Sequence, residues 1–92
     1  MTEVKEVKED QPVDVQVADE LHEAQVDEIA HEMLNGTAPL PIGRPFKLNF
    51  EAGIAPALAE GIELTAGTRK LEVTHVRTRL GSDITEVFCK TV

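Results

Sequence analysis

Residues 19–36, DELHEAQVDEIAHEMLNG, decide how the chain is read. Val26, Ile29, Ala30 and Met33 stand at i, i+3, i+4 and i+7, with Leu34 beside them, the spacing of one apolar stripe on a helix. Asp19 can cap such a helix, Glu20 and Glu23 suit the positive end of its dipole, and Gly36 can close its C-terminus. The pattern therefore predicts an amphipathic helix over residues 18–36. Its polar face is acidic throughout and holds no Lys or Arg. It forgoes the i,i+4 ion pairs of a stand-alone helix and needs tertiary or partner contacts.

Upstream, residues 1–12 alternate Val with Glu and Lys and contain no aromatic group, too little apolar area to offset the entropy of ordering. Val13-Asp14-Val15-Gln16-Val17 has period-two alternation, the pattern of an edge strand or of a strand formed on a partner's sheet. Its shortness and charge favour coil, so residues 1–17 are read as a flexible acidic arm.

Downstream, residues 37–45 (TAPLPIGRP) form a Pro-rich connector. Residues 46–92 read as an antiparallel β body. Phe46-Lys47-Leu48-Asn49-Phe50 puts Phe46, Leu48 and Phe50 on one face of a half-buried strand. Residues 54–60 (IAPALAE) predict one short helical turn. Residues 62–65 and 68–73 flank a tight turn at Ala66-Gly67, and Gly81-Ser82-Asp83 divides the β-prone runs 70–80 and 84–92. Pairing Leu80 with Ile84 sets Val76 opposite Phe88, Thr78 opposite Glu86 and His75 opposite Cys89. Leu71 and Val73 then fall on the wrong face, which requires a bulge near Thr74 or a register one residue different. The expected fold is α+β: an N-terminal amphipathic acidic helix packed on a small antiparallel sheet of about four strands.

The chain has 92 residues, with 9 Lys and Arg against 17 Asp and Glu, a formal net charge of −8. Residues 1–35 carry eleven acids and two lysines, a net of −9, whereas residues 36–92 carry a net of +1. An acidic leader on a near-neutral body suits a solubilising or interacting segment. It argues against phosphate-backbone binding by the whole molecule. No apolar run approaches the roughly 18 residues of a membrane span, and MTEVKEVKED lacks the apolar stretch of a secretory signal. A single cysteine, Cys89, excludes an internal disulfide and an all-cysteine zinc site. A free thiol suits the cytoplasm or, for a viral protein, the virion and host cytoplasm.

Chemistry-bearing patterns are few. His22-Glu23 and His31-Glu32 suggest the zinc-helix motif, but Val26 and Asn35 stand where its second His belongs. The two histidines are nine residues apart, half a turn out of phase on a straight helix. No metal or cofactor is expected, and the six glycines form no phosphate cradle. His75 opposite Cys89 could form an activated thiolate pair or half of a metal site, yet no oxyanion donor, orienting group or further ligand is nominated. Arg77 and Arg79 share a face with His75 and could receive an anion or an acidic partner. Residues 26–36, VDEIAHEMLNG, resemble the first helix of the small cell-wall-binding repeat of phage lysins. The tryptophan-bearing continuation of that repeat is absent, and no function is carried over from it.

These features predict a small, non-enzymatic acidic interaction protein, accessory, structural or inhibitory, that binds a protein partner or its own copies as an oligomer. Viral and bacterial accessory proteins, virion components among them, have this build by fold-level analogy. The expected contact residues are Val13, Val15, Val17, Glu20, Glu23, Asp27, Glu28, Arg77 and Arg79. No direct nucleic-acid or membrane partner is expected. One alternative is a nucleic-acid mimic whose row of acids inhibits a DNA-binding enzyme. Another is a small ligand-binding or thiol module at the His75/Cys89 face.

Overall fold

A computed structural model describes residues 11–51, 58–78, 81 and 83–92. Six antiparallel strands and one helix follow in the order β1 (Gln11–Val17), β2 (Glu20–Val26), α1 (Glu28–Asn35), β3 (Pro45–Glu51), β4 (Glu63–Ala66), β5 (Arg69–Thr78) and β6 (Ile84–Thr91). The strands close into a barrel in the spatial order β1-β2-β3-β6-β5-β4, and β4 returns to β1. The α+β expectation of a long helix on an open sheet is therefore wrong.

The alternation of side chains explains the closure. Val13 and Val15 on β1, Ala24 and Val26 on β2, and Phe46, Leu48 and Phe50 on β3 all point inward. They meet Leu64 and Ala66 on β4, Leu71 and Val73 on β5, and Val87 and Cys89 on β6 in one core, which Leu34 of α1 joins. Each fully buried Val, Leu or Phe contributes about 1.5–3 kcal/mol relative to exposure. Closing the barrel brings the Val13/Val15 and Ala24/Val26 pairs into this core and leaves a sheet edge only where pairing stops.

Two assignments at the N-terminal end change accordingly. Residues 11–17 form a core strand, and residues 20–26 form its hairpin partner, with Val17 paired to Glu20 across Ala18-Asp19. Residues 1–10 of the proposed arm lie outside the described residues, as do residues 54–57 of the proposed helical turn. Only residues 28–35 of the predicted helix are helical. Asp27, not Asp19, is the N-cap, and its carboxylate accepts the Ala30 N–H at 2.7 Å. The predicted stripe is also displaced: Ile29 is exposed, Ala30 and Met33 are half-buried, and Leu34 carries the burial.

A helix of eight residues cannot hold itself in water, so its ends are docked. At the C-terminal end, the Thr68 N–H and hydroxyl donate to the Leu34 carbonyl at 2.8 and 3.0 Å. Arg69 Nε donates to the Met33 carbonyl at 2.8 Å. These bonds bring the β4–β5 turn against the helix end so closely that a Cβ on Gly67 would lie 2.5 Å from the Leu34 carbonyl oxygen. The connector after α1 is fastened to β6 through Thr91, whose hydroxyl accepts the Arg44 N–H at 2.8 Å and donates to the Pro41 carbonyl at 2.6 Å.

Between β5 and β6, Val73 opposes Cys89 and His75 opposes Phe88, with a register shift between them, so the bulge expected near Thr74 is present. Beyond it the register differs by one residue from the expected one: Arg77 opposes Glu86 and Val76 opposes Val87. Leu80, which anchored the expected pairing, lies outside the described residues.

Candidate functional site

Residues 11–35 carry Asp14, Asp19, Glu20, Glu23, Asp27, Glu28 and Glu32, without a single Lys or Arg. Because inward positions on the β1–β2 hairpin are apolar, the intervening acids are turned outward, and all seven carboxylate residues are exposed. Asp14 lies directly opposite Glu23 in the hairpin register. Like charges in that relation are destabilising, by an amount comparable to the gain of a good cross-strand pair. Among the described residues none of the seven forms an ion pair with Lys or Arg; Glu20 meets only His22, at 3.1 Å. The lobe therefore presents uncompensated negative charge, with Leu21 exposed on the same outer face of the hairpin.

The expected contact residues separate into three groups. Glu20, Glu23, Asp27 and Glu28 belong to this lobe. Val13 and Val15 are core residues at 3% and 0% exposure and cannot meet a partner, whereas Val17 is half-buried against the core. Arg77 is not an open cation: its Nη2 and Nε donate to Glu86 Oε1 at 2.6 and 2.9 Å. Lys47 approaches the same carboxylate at 3.7 Å, so Glu86, itself 7% exposed, ties together β3, β5 and β6. The Arg77 guanidinium also lies 5.6 Å from the Phe88 ring, which His75 flanks at 5.8 Å. Arg79 lies outside the described residues.

The thiol module does not survive this geometry. Cys89 opposes Val73 rather than His75, and its side chain points into the core at 1% exposure. Burial among apolar groups pushes the thiol up to about 12, opposite to what a reactive thiolate needs. His22 and His31 lie on different elements, β2 and α1. No group of three His, Cys, Asp or Glu that could hold a metal occurs among the described residues.

One concave feature was not anticipated from the sequence. A groove of about 620 Å³ runs between the first turn of α1 and the start of β3, lined chiefly by Asp27, Glu28, Ile29, Arg44, Phe46 and Asn49. Pairing explains it. β3 pairs with β6 along its whole length, from Pro45–Lys90 to Glu51–Ile84, but on its other side the described pairing with β2 is Gln25–Asn49 alone. β2 ends at Val26 and the chain turns into α1, leaving Pro45–Lys47 bordered by a helix instead of a strand. No sequence pattern marks such a gap.

No protein-family model, no curated protein and no solved structure matches the chain. Among the described residues no helix is long and apolar enough to cross a membrane.

Proposed function

We propose that this protein is a non-enzymatic interaction domain whose acidic hairpin and helix dock a basic surface, on a protein partner or on another copy of itself. The observation that carries this reading is the set of seven exposed carboxylates on residues 11–35, with Asp14 facing Glu23 and no Lys or Arg paired to any of them. Such a cluster opposes the compact state through self-repulsion, and a cationic partner relieves that repulsion. Complementary charge chiefly sets association rate and specificity, so binding should weaken steeply with salt.

The test compares the wild-type chain with a variant carrying D14N, E23Q, E28Q and E32Q, all exposed positions outside the core. Both are used to recover partners from the native source at low and high salt, and both are sized by sedimentation equilibrium. A partner or a self-assembly present for wild type at low salt, and lost in the variant and at high salt, is the expected result. Equal behaviour of the two proteins removes the reading.

A further inference from the structure

We infer that the groove between α1 and β3 takes a short, extended, basic peptide from a partner protein, added as a strand alongside Pro45–Lys47. This rests on the acidic-docking reading above and specifies where and in what conformation the partner is held.

Backbone placement is the first support. In a barrel every strand is normally flanked on both sides, yet β3 beyond Asn49 has a strand partner only in β6. Three residues of edge span about 10 Å, enough for the core of a short added strand, with Pro45 offering its carbonyl alone. The groove also has room for it, at about 620 Å³.

Charge is the second. Two carboxylates, Asp27 and Glu28 on the α1 side, and two cations, Arg44 and Lys47 on the β3 side, border the groove. The Arg44 guanidinium lies over the Phe46 ring at 5.4 Å, and Lys47 Nζ turns to Glu86 at 3.7 Å on the outer wall. Asp27 and Glu28 have no such counter-charge. Their two negative charges exceed the roughly half-charge of the helix terminus they sit on, so the α1 rim favours a cation, away from Arg44 on the β3 side.

The third support is polar matching. Arg44 Nε, a donor, and Asn49 Oδ1, an acceptor, are buried and without a hydrogen-bond partner, and both residues line the groove. Each such atom left unmatched costs about 1–3 kcal/mol. A peptide backbone supplies carbonyl acceptors and N–H donors in turn along its length, the two kinds of group these atoms lack. Ile29, at 68% exposure, adds an apolar contact that an alternating peptide would cover with every second side chain.

The test uses the isotopically labelled full chain, titrated at low salt with acetyl-Lys-Val-Lys-Val-Lys-amide and with the same peptide N-methylated at every backbone amide. The second keeps the charges and side chains but cannot donate a ladder hydrogen bond. The expected result is binding of the first peptide with shifts at Ile29, Ala30, Phe46 and Lys47, and affinity about tenfold or more weaker for the second. Equal affinity for the two peptides overturns strand addition while leaving the acidic-docking reading standing. Binding of neither peptide overturns both. Contacts between residues 1–10 and Ile29 or Lys47 in the unliganded chain would assign the groove to the protein's own leader and overturn the partner.

Discussion

Replacing Gly67 by Ala tests whether the end of α1 is held by the β4–β5 turn. Gly67 has φ +62°, and an added Cβ would meet the Leu34 carbonyl oxygen at 2.5 Å and Asn35 Oδ1 at 2.8 Å. Two costs combine. The left-handed backbone costs a non-glycine residue about 1 kcal/mol, and forcing a methyl group into a packed contact costs about 1–3 kcal/mol. Relief by lifting the helix end is no cheaper. It would break the Thr68 and Arg69 bonds to Leu34 and Met33 and expose Leu34, at about 1 kcal/mol per bond and 1.5–3 kcal/mol for the side chain. The expected loss is about 2–4 kcal/mol in a chain whose total stability should be roughly 5–14 kcal/mol. Gly43 supplies the control, because it has φ +88° with nothing within 4 Å of a Cβ. G43A should cost only the conformational part, about 1 kcal/mol. Urea unfolding followed by far-ultraviolet circular dichroism measures both variants. A G67A midpoint indistinguishable from that of G43A would refute the docked helix end.

Other perturbations have definite outcomes. Ala18 holds φ 53° in the β1–β2 turn, so A18G should stabilise the chain by roughly 0.5–1 kcal/mol in the same urea assay, despite the extra freedom of glycine when unfolded. Burial raises the Cys89 thiol from 9.0 to about 12. The unfolded chain then loses its thiol proton first, so stability is complete below about pH 9 and falls as pH rises toward 12. Unfolding midpoints of wild type and C89A should converge as pH increases through that interval, and a thiol reagent should label Cys89 only as the chain unfolds. R77A removes both guanidinium bonds to Glu86; with the Arg77 side chain 52% exposed, screening limits the loss to about 1 kcal/mol. Adding E86Q should recover part of it, which a double-mutant cycle measures.

Strand β3 was legible because Phe46, Leu48 and Phe50 alternate with polar residues, and all three are buried. The bulge at Thr74 was legible because Leu71 and Val73 could not share a face with Val76 without it. The N-terminal hairpin was not, for two physical reasons. Its turn is Ala18-Asp19, with a positive φ on Ala18, where a two-residue hairpin ordinarily advertises itself with Gly or Asn-Gly. Its second strand also places His22, Ala24 and Val26 at the alternating positions, and neither the half-buried His nor the small Ala reads as a strand face. The helical spacing holds within α1 only from Ile29 to Met33, while Val26 ends β2, and nothing in the spacing marks that boundary. Of the candidate site, the acids were visible by composition. The groove was not, because it arises from where β2 ends relative to β3, a relation between residues far apart in the chain.

The β1–β2 hairpin is joined to the rest of the barrel by narrow seams, Val15–Ala66 and Gln16–Thr65 toward β4 and Gln25–Asn49 toward β3. Its two strands pair along their full length, many more pairs than either seam holds. Amide hydrogen exchange should then show residues 11–26 opening together, at a free energy below that of the β3–β6–β5 sheet. Two copies that open in this way can also trade hairpins, giving an interlocked dimer in which each barrel is completed by its neighbour.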